Sequence, residues 1–302
     1  MQVIRSSDAA GDCGKIRTPH SALRAHRAFT LLELLVVIVI LGIVAGLAVP
    51  ALKNLGKSNV QVSAARQLLD DVGRARQLAI SQHTTIYMVF VPGYFWNSPE
   101  TSAGTFNLTP AQQAVATNLL DKQYTGYNFL SLRSVGDQPG RGTTNYLAEW
   151  KSLPDGAFIA TNKFNYAYYP DYDYSQSSPY YQGCDSYPIT DYSINATYPV
   201  NSFNTNSLPF PTGTNGAVLL PYLAFNYLGQ LTVDGVNLAP QDEYIPLAQG
   251  TVAYAADVNK VLQFAAPDAT ENPLGNSTNS MFSIVHIDRL TGRAGLLQQK
   301  AQ

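Results

Sequence analysis

FTLLELLVVIVILGIVAGLAVP, residues 29–50, organises the reading of the whole chain. From Phe29 to Val49 it is apolar except for Thr30 and Glu33. At about 1.5 Å of rise per residue, a helix of this length reaches across a hydrocarbon layer of roughly 30 Å. A lone segment in lipid satisfies its own backbone only as a helix, so a spanning helix is expected over 29–50. Arg24, His26 and Arg27 precede it, with Arg5, Lys15 and Arg17 further back. Basic residues hold their end of a span in the cytoplasm, which puts the rest of the chain across the membrane.

Glu33 stands out inside this run. A carboxylate near the centre of a spanning helix costs about 2.5–3.5 kcal/mol on insertion scales and calls for a partner. Its place near the helix start, where the macrodipole favours an acid, lowers that cost a little. One reading is a tolerated polar residue near the interface. The other is an acid that meets a cation within the membrane. The helix itself carries no Lys or Arg, so such a cation has to come from another chain.

Arg27-Ala28-Phe29-Thr30-Leu31-Leu32-Glu33-Leu34-Leu35 resembles the class III signal of type IV prepilins and type II secretion pseudopilins. The resemblance implies cleavage between Ala28 and Phe29 by a prepilin peptidase, followed by N-methylation at Phe29. It implies an assembly role for Glu33, paired with the N-terminal amine of a neighbouring subunit. Pro50 falls at the position where many family members carry a helix-breaking proline. Ala28 is a departure, since that family usually has glycine before the cut. Two other readings compete. Ala45-Gly46-Leu47-Ala48 could pose as a secretory cleavage site, but the apolar run exceeds the 7–15 residues of such a signal and contains an acid. A plain anchor on an unrelated outer domain is the second.

The resemblance divides the 302 residues into a cleaved cytoplasmic leader (1–28), a transmembrane and assembly helix (29–50), an amphipathic continuation (51–83) and an outer β domain (84–302). Insertions are expected in that domain at about 94–150 and 161–216. A composition 45% hydrophobic and 13% charged is that of an ordered protein. Five of the 19 basic and two of the 21 acidic residues lie in 1–28, leaving 14 against 19, a net of −5. An acidic ectodomain argues against nucleic acid as a partner, whose binding is led by basic patches. Of the two cysteines, Cys13 lies in the leader, so Cys184 has no partner for a disulfide within the mature chain.

After Pro50, helical periodicity returns in Val62, Ala65, Leu69, Val72, Ala75 and Ala79, spaced at three and four, and predicts an amphipathic helix from about Asn59 to Ser81. Gly42, Gly46, Pro50 and Gly56 are its weak places. Arg66, Arg74 and Arg76 alternate with Asp70 and Asp71, the pattern of a solvated face rather than a basic patch. Thr84 to Val91 reads as a strand ended by Pro92-Gly93. Thr109-Pro110 reads as a helix start running to about Asp121, and Tyr127 to Arg133 as a further strand.

Ala75 to Ile80 leading into that first strand, Leu153-Pro154-Asp155-Gly156-Ala157-Phe158, Ala224 to Gln230, and Phe282 to Asp288 with Thr291 to Ala294 together resemble the outer domain of the H-type minor pseudopilins and their relatives in type IV pili. The expected fold is therefore α+β and pilin-like. Its long N-terminal helix packs on one antiparallel sheet built from 84–91, 156–161, 218–233, 245–256 and 282–288. Between Ile159 and Ala217 lies a segment with ten tyrosines from Tyr166 to Tyr198, broken by prolines and too long for an ordinary connection. Tyr168, Tyr169, Tyr172, Tyr174, Tyr180 and Tyr181 make it a candidate recognition surface, since tyrosine gives large contact area at low entropic cost. The alternative is an elaboration that packs onto the domain.

Little in the chain points to catalysis. His83 and His286 lack an accompanying nucleophile pattern, and there is no phosphate-cradling glycine loop, HExxH or CxxC. No cofactor is expected. Asp171 and Asp173, with Asp185 and Asp191, offer oxygen ligands for calcium but match no complete loop. Asn195-Ala-Thr and Asn276-Ser-Thr match a glycosylation acceptor. The expected protein is not an enzyme. It is a structural minor pilin or pseudopilin, single-pass in a bacterial inner membrane before it joins a fibre. Its expected partners are other pilins, the prepilin peptidase and an assembly platform. The alternative function is an anchored or fibre-tip adhesin that binds through the tyrosine-rich insertion.

Overall fold

The computed structural model describes residues 31–93, 95–96, 110–133, 136–138, 142–164, 187–191, 196–278 and 282–298. Contacts divide the chain into two compact units, Met1–Ala51 and Leu52–Gln302. In the first, the described backbone is helical throughout, as part of α1 (Leu31–Gln82, 52 residues). The backbone stays helical past Gly42, Gly46, Pro50 and Gly56, the expected weak places.

In the second unit α1 is one-sided. Ala64, Ala65, Leu68, Val72, Ala75 and Ala79 are buried completely, while Arg66, Asp70, Arg74 and Gln77 are exposed. Small residues alternate with Leu68 and Val72, so backbone lies close to sheet, and each large apolar side chain buried is worth about 1.5–3 kcal/mol. Asp71 does not follow the expected solvated pattern. It is buried at 5% exposure, with the Tyr127 hydroxyl and the Lys151 ammonium bonded to its carboxylate.

Two sheets, not one, meet this helix. The first has seven strands: β1 (Ile86–Phe90), β2 (Gly126–Ser131), β3 (Asn145–Tyr146), β4 (Lys151–Ser152), β8 (Asn204–Pro209), β9 (Ala217–Phe225) and β10 (Leu231–Thr232). Its central pairing places β1 antiparallel between β2 and β9. The second has five: β5 (Ala157–Ile159), β11 (Glu243–Ala253), β12 (Asp268–Glu271), β13 (Ser283–Ile287) and β14 (Ala294–Gln298). The expected single sheet is thus corrected. Alternation reveals which face of a strand is buried, but not which strand lies beside it.

β1 shows how the layers are built. Ile86, Met88 and Phe90 join α1 and the inner face of the second sheet in one core, with Phe129, Phe158, Ile245 and Val285. Tyr87, Val89 and Val91 enter a second core with Leu119, Leu120, Phe210 and Leu220 on the opposite face. That face is covered by α2 (Pro110–Ala116), a 3₁₀ turn at Thr117–Lys122, and Leu262 and Phe264. The region expected as an insertion at about 94–150 therefore supplies β2 and β3, which belong to the sheet rather than decorate it.

The described part of the tyrosine-bearing segment also has a packed role. β6 (Tyr187–Asp191) and β7 (Ala196–Val200) form a hairpin. Ile189 and Val200 rest on Phe282 and Ile284 of the second sheet, and the Tyr198 ring lies 5.8 Å from Phe282 and 5.9 Å from Tyr244. The expected strand 218–233 resolves into the β9–β10 hairpin. At its turn Asn226 Oδ1 accepts from the N–H groups of Leu228 and Gln230, and Gly229 adopts φ +77°.

Candidate functional site

The first unit carries the feature with the plainest functional demand. From Leu31 to Val44 every residue is exposed, from 88% at Leu31 to 46% at Val37. The helix here is apolar on all sides, whereas residues 60–82 bury one stripe and leave the other in water. A helix apolar all round belongs in a core or in lipid. Glu33 is the sole ionisable side chain from Leu31 to Val44 and lies in the first turn of the described helix, where an acid suits the dipole.

Among the described residues, no helix is long and apolar enough to cross a membrane. The run of described exposed side chains ends at Val44, so it spans about 21 Å of the roughly 30 Å required. Ala28 and Phe29, the expected cleavage and methylation positions, lie outside the described residues, as does the side chain of Pro50. So do Tyr168, Tyr169, Tyr172, Tyr174, Tyr180 and Tyr181, the calcium candidates Asp171 and Asp173, and Cys184. Among the described residues no three His, Cys, Asp or Glu side chains cluster as a metal site.

In the second unit, polar side chains fix the helix to the sheets. Asp71 Oδ2 accepts the Tyr127 hydroxyl at 2.6 Å, and Oδ1 accepts Lys151 Nζ at 2.6 Å. Gln67 Nε2 donates to the Tyr127 oxygen at 2.9 Å and to the Ser152 carbonyl at 2.8 Å. Burial, reinforced by the bond to Asp71, pushes the Tyr127 hydroxyl far above its ordinary pKa, so it stays a donor. Arg76 Nε donates to the Thr291 carbonyl at 2.6 Å, which ties the last turns of α1 to the β13–β14 turn.

Lys163 is wholly buried beside Phe203 and donates to the Asn201 carbonyl and to Glu243 Oε1. Burial pushes its ammonium below the usual value, and the Glu243 carboxylate opposes that shift. Nothing in TNKF marks Lys163 as internal, since a lysine after a short strand is ordinarily exposed. His83 is exposed at the C-terminal end of α1 with φ +50°. His286 Nε2 lies 2.9 Å from Asp242 Oδ2, and its ring stacks on Tyr244 at 4.8 Å. The acceptor-like Asn276 is buried at 4% exposure, with its amide spent on backbone groups.

Residues 23–49 match a family model described as the prokaryotic N-terminal methylation motif. No curated protein and no solved structure matches the chain. The matched span covers the expected cleavage position, Glu33 and the exposed apolar run. It supports a type IV pilin-like chain that is a substrate of a prepilin peptidase and assembles with other pilins.

Proposed function

We propose that this chain is a structural minor subunit of a pilin-like fibre, of the kind built by type II secretion systems. The observation that carries the reading is the helix from Leu31 to Val44, exposed on every side and interrupted by Glu33 alone, within the span matched by the methylation-motif model. Before assembly the helix lies in the inner membrane with its leader in the cytoplasm. Peptidase cleavage after Ala28 frees the amine of Phe29, which is then methylated. The helix next leaves the bilayer sideways into a bundle of like helices. Leucine and valine pass from lipid to helix neighbours at little cost, because lipid tails are as apolar as they are. Glu33 is the costly group, and the amine of an adjacent subunit offsets its desolvation. The role is structural rather than catalytic.

Two measurements on cells making the protein test this. Intact-mass analysis is expected to find a chain that begins at a methylated Phe29; a chain retaining Met1 overturns the reading. Glu33→Ala is expected to be inserted and cleaved normally, yet to be lost from sheared fibres by at least 10-fold. Fibre incorporation equal to the unaltered chain removes the pairing role of Glu33.

A further inference from the structure

A cleft of about 380 Å³ opens in the second unit between the 3₁₀ turn and the second sheet. Asp121 and Thr125 line one wall, Pro154, Asp155 and Gly156 another, and Gly250 to Val252 with Tyr254 the third. Its size lies near the lower end of the roughly 300–1,000 Å³ of small-molecule sites.

The third wall is an open strand edge. Gly250 donates its N–H to the Gly156 carbonyl, and Pro246 accepts from Ala160, so even-numbered residues of β11 direct their backbone groups toward β5. Gln249 accepts from Asn272 on the other side, where Thr251 and Ala253 stand opposite Thr270 and Asp268. Backbone direction alternates along a strand, so the N–H and C=O of Val252 point away from β12 and toward the cleft. No described residue takes them up. The edge is open because β5 peels off: Pro154, Asp155 and Gly156 turn the chain, with Gly156 at φ +92°.

The cleft also has a charge preference. Asp155 is exposed and has no ion pair among the described residues, and Asp121 is paired only with its neighbour Lys122 at 3.4 Å. Both carboxylates raise the Tyr254 hydroxyl pKa, though burial raises it more. The Tyr254 hydroxyl lies 3.5 Å from Thr125 Oγ1.

We infer that this cleft receives an extended segment of another polypeptide, which adds to β11 at Val252 and presents an arginine or lysine to Asp155 and Asp121. Backbone bonds to an unpaired edge supply the attachment, and side-chain chemistry beside it supplies the choice of partner. The inference rests on the outer unit and is independent of the fibre reading.

The test uses the full chain in detergent micelles and a labelled, end-capped peptide, Thr-Val-Thr-Arg-Thr-Val. In the free protein the Val252 amide is expected to exchange with solvent faster than those of Thr251 and Ala253. The peptide is expected to slow exchange at Val252 at least 10-fold, and a version with Glu in place of Arg to bind at least 10-fold more weakly. Asp155→Asn, at an exposed position, is expected to weaken binding of the Arg peptide about 3-fold without changing thermal stability. Val252→Pro, which removes the cleft-facing N–H and puts a ring carbon in its place, is expected to abolish binding while far-ultraviolet circular dichroism stays that of the parent. Absence of binding by the unaltered chain at millimolar peptide overturns the inference. Binding without protection of Val252, or equal binding of the Glu peptide, does the same.

Discussion

Tyr127 on β2 donates its hydroxyl to Asp71 Oδ2 on α1 at 2.6 Å, a direct bond between the helix and the first sheet. Asp71 is nearly closed to water, and its other oxygen holds Lys151. Lys151 keeps 36% of its side-chain exposure, so its bond is screened where the tyrosine bond is not. Tyr127→Phe removes a bond to a buried carboxylate and is expected to cost about 1.5–3 kcal/mol in urea denaturation of the second unit. Lys151→Met is expected to cost about 1 kcal/mol or less. A larger loss for Lys151→Met than for Tyr127→Phe rejects this ordering.

Asn276 stands in for a strand. Its Oδ1 accepts the Gln249 N–H at 2.8 Å, and its Nδ2 donates to the Gln249 carbonyl at 2.7 Å and to the Pro273 carbonyl at 2.6 Å. Asn276→Ala strands the Gln249 N–H and takes one donor from each of the Gln249 and Pro273 carbonyls, which keep backbone bonds from Asn272 and residue 276, at an expected cost of about 1–3 kcal/mol. Asn276→Asp keeps the acceptor and loses the donors, so it is expected to fall between. Thermal unfolding of the three proteins checks the order; an alanine variant as stable as the parent refutes it.

Period and turn chemistry in the sequence reach far in this chain, and they stop at pairing. The stripe from Val62 to Ala79 located the buried face of α1, residues 84–91 and 282–288 contain β1 and β13, and 245–256 overlaps all but the first two residues of β11. Their division between two sheets was not legible, because a strand's alternation carries no label for its neighbour. Asp71 could not be told from Asp70 until β2 brought Tyr127 beneath it, and Lys163 carries no local mark of burial at all. Of the candidate site, Glu33 and its apolar setting were legible because both lie in one unbroken stretch of local composition. The cleft beside Val252 was not, since an open edge depends on where another strand leaves.

Gly292 shows the same limit at a smaller scale. Its place in a turn is readable from Thr291-Gly292, and its φ is +62°. The sequence does not reveal that this turn abuts the β9–β10 turn: a Cβ at Gly292 would lie 2.0 Å from the Gly229 carbonyl oxygen. The obstacle is backbone, which cannot rotate away like a side chain. Gly292→Ala is expected to destabilise by more than the roughly 1 kcal/mol of a left-handed alanine alone. Thermal unfolding checks it, and a loss of about 1 kcal/mol or less for Gly292→Ala rejects the contact between turns.

Acid sensitivity is expected from two turn aspartates. Asp288 Oδ1 accepts the Thr291 hydroxyl and N–H, both at 2.7 Å, and these bonds hold its carboxyl below the usual value. Asp234 is held down by the Asn237 and Val236 N–H groups and the Asn237 amide. When a carboxyl's native pKa is depressed, the unfolded chain binds more protons at acid pH. The stabilisation is therefore complete above the unfolded pKa of about 3.9 and fades as pH falls through the lower native values. The Asp288→Ala, Asp234→Ala double variant is expected to be less stable than the parent by a constant margin from pH 7 to 5. That margin is expected to shrink below about pH 4, where the parent loses the contribution as well. Urea midpoints measured between pH 7 and pH 2 decide it, and a margin that persists undiminished at pH 2 excludes these two carboxylates as the source.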